Sequence, residues 1–146
     1  MNKHLASEIN KYLADLSTMY FKAHNLHWNV VGKQFSSIHS YLEELYDGLA
    51  ASLDEVAELL KKYDEYPLAS MKDYLAVTSI KEIESKDVSV DDVLEILQED
   101  ITSLKTTANE IRKTAGQEDL FEVTSLMEDE ISGYSKTLWF IKSMRK

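Results

Sequence analysis

The sequence predicts an all-α protein: a bundle of four long helices with a short helix inside the long middle connection. Three observations carry that reading. The 146 residues include only four glycines and one proline, too few turn formers for a β fold of this size. Leu, Ala, Glu, Lys and Asp dominate, and most of these suit helices. Apolar residues also recur at steps of three or four over long stretches without a breaker.

The first helix is expected from about Asn2 to Val31, where Leu5, Ile9, Leu13, Leu16, Tyr20, Ala23, His27 and Val30 share one face. Gly32-Lys33-Gln34 reads as the turn that ends it. The second runs from about Phe35 to Lys62 on a stripe of Ile38, Leu42, Leu45, Leu49, Leu53, Val56 and Leu60. A looser connection from Tyr63 to about Lys86 contains the single proline, Pro67, with room for a short helix over Leu68 to Ala76. Ser89 has the character of an N-cap, with Asp92 three residues on as a variant of the capping box. The third helix then spans Val90 to about Ala115, with Gly116 as its stop. The fourth spans about Glu118 to Met144, on Leu120, Val123, Met127, Ile131, Tyr134, Leu138 and Ile141. A bundle with a short first turn and one long crossover is the ferritin-like arrangement, although other bundles share the helix count. No repeat or linker divides the chain, so residues 1–146 form a single domain.

Composition narrows the chemistry. There is no cysteine, so disulfides and thiolate metal sites are excluded. Any metal must be held by His and carboxylates, which suits harder ions such as iron or manganese. The net charge of −10 favours cations over nucleic acid, whose binding needs local basic density. The N-terminal stretch lacks the apolar core of a signal peptide, and no apolar run approaches the roughly 20 residues needed to span a bilayer. A soluble cytoplasmic protein is expected.

Two of the four histidines lie symmetrically about the first turn. His27 is six residues before Lys33 and His39 six after it. A helical hairpin centred there puts both imidazoles at one level, each about 9 Å from the turn at roughly 1.5 Å rise per residue. Glu43 follows His39 by one helical turn, and Asp54 and Glu58 form another i, i+4 pair on the same helix. At about 100° per residue, positions 39, 43, 54 and 58 fall within an arc of roughly 100°, close to the apolar stripe. The plain alternative is a solvated acidic face, since Glu44, Asp47 and Glu55 share this helix.

Distance decides which groups can share an ion. His39 and Asp54 are separated by about 22 Å of helix, whereas metal–ligand bonds are about 2 Å. The two pairs can meet only if a second copy of the helix runs antiparallel to the first. Pairing His39 with Glu58 and Glu43 with Asp54 gives one common midpoint, between Gly48 and Leu49, as an isologous two-fold contact requires. Gly48, Ala50 and Ala51 near that axis would permit close approach. The expectation is two equivalent sites per dimer, each taking His27, His39 and Glu43 from one chain and Asp54 and Glu58 from the other. Two His and three carboxylates suit Fe(II), and bridging carboxylates could hold a second iron.

At these residues the sequence resembles the Dps family, the bacterial mini-ferritins. The resemblance rests on HNLHWNVVGKQFSSIH (His24 to His39), Glu43 and DEVAE (Asp54 to Glu58), and continues to LWFIKSM (Leu138 to Met144). Many members carry Asp where this chain has Glu43, and the two-glycine turn often found after the second helix is replaced by KKYDEYP. The resemblance implies a homo-oligomer, a dodecameric hollow shell built from two-fold dimers. It implies a di-iron ferroxidase site on the same five residues, which zinc can also fill. Hydrogen peroxide, or more slowly oxygen, would oxidise Fe(II), with ferric mineral stored inside and oxidative damage suppressed. Trp28 would lie close to the iron and accept oxidising equivalents, or else simply pack at the interface. His24 is either a donor that orients a ligand or an ordinary core histidine. Glu118, Asp119 and Glu122 would line three-fold pores, or else complement a helix dipole. His4 is expected to be exposed and idle.

Three rival readings stand against this one. A ferritin with its di-iron site inside one bundle needs Glu three residues before a ligand His; Met1, Phe21, His24 and Ser36 stand there instead. A DNA-condensing protein commonly carries a Lys/Arg-rich tail, whereas only Lys3 and Lys11 stand near this start, so no DNA binding is expected near neutral pH. The third is a non-catalytic metal-binding or scaffolding bundle.

Overall fold

A computed structural model describes all residues, 1–146. Helix α1 spans Lys3–Asn29, α2 Phe35–Lys62, α3 Met71–Val77, α4 Val90–Gln117 and α5 Phe121–Met144. Two short strands, β1 (Val30–Val31) and β2 (Val88–Ser89), pair in parallel, Val30 with Val88 and Val31 with Ser89. The architecture is the expected four-helix bundle with a short crossover helix. The first helix is shorter than its apolar pattern, because Val30 adopts an extended conformation and starts the strand. The crossover returns beside it, so the β-branched pair finds a sheet partner that local periodicity does not reveal. Helix α3 also begins later than expected, where the Ser70 hydroxyl caps it by accepting from the Asp73 amide.

Helix α1 is the centre of the bundle. Asn2 caps it by accepting from the Leu5 amide at 2.8 Å. Every residue from Tyr12 to Met19 is buried, so two full turns are enclosed by α2, α3 and α4, with Tyr134 of α5 against Tyr12. Its polar residues there are all satisfied. Ser17 and Thr18 donate to the Leu13 and Ala14 carbonyls. The Asp15 carboxylate accepts from the Thr78 hydroxyl and the Ser79 amide at 2.7 Å each, and pairs with Lys11 at 2.6 Å. That network ties the crossover to the core. Lys22 on α1 meets Asp100 on α4 at 2.6 Å. Burial raises the Asp100 carboxyl above its ordinary range, and the Lys22 ammonium opposes the rise. Thirty buried apolar residues, from the four long helices together with Val30, Ile80 and Val88, form one continuous core, and each large aliphatic side chain contributes roughly 1.5–3 kcal/mol on burial.

Helices α2 and α4 end in the same way. The Glu65 amide donates to the Leu60 carbonyl and Asp64 to Lys61; Leu120 donates to Ala115 and Asp119 to Gly116. These are two Schellman motifs, and in each the left-handed residue is an aspartate: Asp64 at φ 59° and Asp119 at φ 57°. Gly116 is therefore not the stop. It lies inside α4, and the chain continues helical to Gln117. An Asp tolerates the left-handed region through its short polar side chain, so the helix can end without glycine. The motif also delays the last helix to Phe121, leaving Glu118 and Asp119 in the turn.

Candidate metal centre

The hairpin between α1 and α2 turns on Gly32, whose φ of +132° would strain any side chain. This turn brings His27, in the last turn of α1, against His39, in the second turn of α2. The rings stack with centroids 3.6 Å apart and planes 16° from parallel. Nδ1 of His27 donates to the His39 carbonyl, and Nδ1 of His39 donates to the His27 carbonyl, both at 2.7 Å. A carbonyl can only accept, so the proton of each neutral imidazole sits on Nδ1. Both Nε2 atoms are then left as lone-pair donors, the state a metal ion requires.

The acids are arranged differently. Glu43 is exposed one turn beyond His39, and its only hydrogen bond within the chain comes from the Tyr46 hydroxyl, at 3.4 Å to Oε1. Asp54 and Glu58 lie farther along α2, both exposed. No three His, Asp or Glu side chains of one chain come together in a geometry that could hold an ion. The single chain thus assembles the two histidines and leaves the other three candidate ligands apart.

Around the histidines lies an aromatic layer. Trp28 is 68% exposed, and its nearest ring is His24, at 5.4 Å. His24 donates from Nδ1 to the Tyr20 carbonyl at 2.9 Å and stacks on Tyr46 at 3.7 Å. Tyr46 stands edge-on to His27 at 5.2 Å. Partial burial raises its phenol above the ordinary value, and the Glu43 and Asp47 carboxylates add to the rise. Sequence reasoning missed Tyr46. The signal was its place seven residues after His39 and three after Glu43, which puts all three on one helical face. His4 is exposed beside Glu8.

The acids near the last helix separate. Glu118 accepts from the Asn2 side-chain amide at the start of α1, and Asp119 is the left-handed residue of the α4 terminus. Only Glu122 lies in the first turn of α5, where it approaches Lys62 at 3.9 Å. Dipole complementation therefore applies to Glu122 alone.

A second polar cluster, also missed, crosses the middle of the bundle. Ser52 on α2 donates to Glu130 on α5 at 3.0 Å, and the Tyr12 and Tyr134 hydroxyls are hydrogen-bonded beside it. Burial pushes the Glu130 carboxyl up, opposed by the Ser52 hydrogen bond and reinforced by Glu55. Both phenols are raised well above their normal value, chiefly by burial. A cleft of about 430 Å³ between α2 and α5 opens over this cluster. No helix is long and apolar enough to cross a membrane.

Comparison with known proteins gives a consistent result. A family model of the ferritin-like domain matches residues 6–146. The DNA protection during starvation protein of Helicobacter pylori strain J99 is 29% identical over 137 residues, covering 93% of this chain and 95% of the relative. The crystal structure of antigen TpF1 from Treponema pallidum superposes with a TM-score of 0.96 at 26% identity, covering 98% of this chain and 92% of that one. The Dps protein of Vibrio cholerae O1, described as a member of a broad superfamily of ferritin-like diiron-carboxylate proteins, superposes with a TM-score of 0.94. It is 28% identical, and the match covers 99% of this chain and 90% of that one.

Proposed function

Because this chain belongs to the Dps proteins of the ferritin-like family, we propose that it is an iron-sequestering ferroxidase whose centres are completed between two copies. The observation that carries this reading is the reciprocal pair of hydrogen bonds between His27 and His39. Each bond spends an Nδ1 proton on a backbone carbonyl and leaves an Nε2 lone pair free for a metal. Imidazole nitrogen with carboxylate oxygen is a donor set that fits Fe(II), and zinc can occupy the same ligands.

In the reaction proposed, two Fe(II) ions are substrates. Each gives up one electron, and the O–O bond of hydrogen peroxide takes both; with two protons it yields two waters. Oxygen is the slower oxidant. The chain's part is to bind and orient. His27 and His39 supply neutral nitrogens held rigidly by the hairpin, while Glu43 supplies an anionic oxygen one turn away. Asp54 and Glu58 of a second, antiparallel α2 complete the charge balance of the ferric product. The ferric product is stored inside a shell, a dodecamer of two-fold dimers. In this reading Trp28, beside His27 in the chain and largely exposed, would lie at the contact between copies, close to the iron. The acidic surface is expected to draw Fe(II) in and to leave DNA unbound near neutral pH.

Anaerobic Fe(II) titration followed by peroxide tests this function. Saturable binding near two ions per centre, with fast oxidation on adding peroxide, is the expected result. Linear, unsaturable uptake with oxidation no faster than in buffer would leave only a scaffolding bundle.

A further inference from the structure

We propose that Tyr46 is a positioning residue of the metal centre: its hydroxyl orients the Glu43 carboxylate while its ring braces the His27 imidazole. The inference rests on the metal-centre reading above and adds a residue to it. Three rings hold the Tyr46 side chain. His24 stacks on one face at 3.7 Å and 20°, Tyr20 meets it edge-on at 6.1 Å and 90°, and His27 meets it at 5.2 Å and 87°. His24 is itself fixed by its bond to the Tyr20 carbonyl. The phenol therefore has little freedom, and it reaches Glu43 Oε1 at 3.4 Å.

Glu43 needs such a partner. It is exposed, and the phenol is its only hydrogen-bond donor in the chain. An exposed glutamate spreads over many rotamers, and ordering it on an ion costs conformational entropy. A rigid phenol one turn away removes part of that cost before the metal arrives. The same side chain touches one nitrogen ligand and one oxygen ligand, so it couples their positions. Ligating carboxylates and imidazoles commonly depend on outer partners of this kind.

Co(II) is the probe, because it takes the same ligands, does not react with oxygen under these conditions, and reports its coordination through visible absorption bands. The assembled protein, with and without substitution, is titrated with Co(II) alone. Tyr46→Phe keeps the ring contacts and removes only the hydroxyl. It is expected to weaken Co(II) binding roughly threefold to tenfold and to alter the bands, with helix content and assembly size unchanged. Tyr46→Leu removes both contacts and should weaken binding further. Wild-type affinity and spectrum in Tyr46→Phe would reduce Tyr46 to a packing residue and overturn the proposal, while leaving the centre intact. Absence of saturable Co(II) binding in the unsubstituted protein would instead overturn the metal centre, and the positioning role with it.

Discussion

His27 and His39 hold each other by exchanging hydrogen bonds, each Nδ1 bound at 2.7 Å to the other residue's backbone carbonyl. Both acceptors are main-chain carbonyls, so alanine at one position leaves in place the bond that fixes the other ring. The two losses of metal affinity should therefore be close to additive. Anaerobic Co(II) or Zn(II) affinity, measured for His27→Ala, His39→Ala and the double substitution, should fall in each single variant and further in the double. An equal loss in all three would show that each imidazole is held by the other's side chain and not by its backbone.

A centre shared between copies predicts complementation. His39→Ala and Asp54→Ala should each abolish most peroxide-driven Fe(II) oxidation. In mixed dimers one centre carries both lesions and the other carries neither. Random co-assembly of the two variants should thus restore about a quarter of the wild-type rate, as the two-fold arrangement requires. Activity no higher than that of the separate variants would exclude sharing.

Gly48 lies beside the inferred axis, and a Cβ built there meets nothing within 4 Å in the single chain. Gly48→Ala should stabilise the isolated fold by roughly 0.5–1 kcal/mol through helix propensity. Gly48→Trp should leave helix content intact but prevent two α2 helices from closing. Sedimentation should then show smaller species, with oxidation lost in parallel. Normal assembly of Gly48→Trp would place the two-fold contact elsewhere.

Burial raises the Glu130 carboxyl in the folded chain. For an acid with a raised value, the folded state favours the protonated form. Its contribution is most favourable below the unfolded-state value and declines as pH rises through the folded-state value. Above that range the buried charge is a standing cost. Glu130→Gln, which can still accept from Ser52, should raise Tm at pH 7 to 8. The advantage should shrink as pH falls toward the ordinary carboxylate range. A Tm gain that is constant with pH would point to packing instead.

Asp15 holds the crossover from the core side through Thr78, Ser79 and Lys11. Asp15→Ala strands the Ser79 amide and leaves Lys11 without its carboxylate. Urea unfolding should show a loss on the order of 2–4 kcal/mol, with the crossover the first region to exchange amide protons. A loss below about 1 kcal/mol would mean the network is replaceable.

Much of this protein was determined by local pattern. The 3.6-residue period located the four long helices, because each must bury one stripe, and the chain length of the second helix separated His39 from Asp54 whatever the packing. Symmetric placement about Lys33 put His27 and His39 at one level, because a hairpin admits little other geometry. Tertiary structure decided the rest. Which imidazole nitrogen is free depends on carbonyls twelve residues away in sequence. Asp15 finds its partners more than sixty residues on, and Ser52 meets Glu130 seventy-eight residues on. Asp64 and Asp119, not Gly116, end their helices, because the left-handed turn is set by where the chain must go next. Periodicity records which face of a helix is buried; it carries no information about which distant group that face will meet.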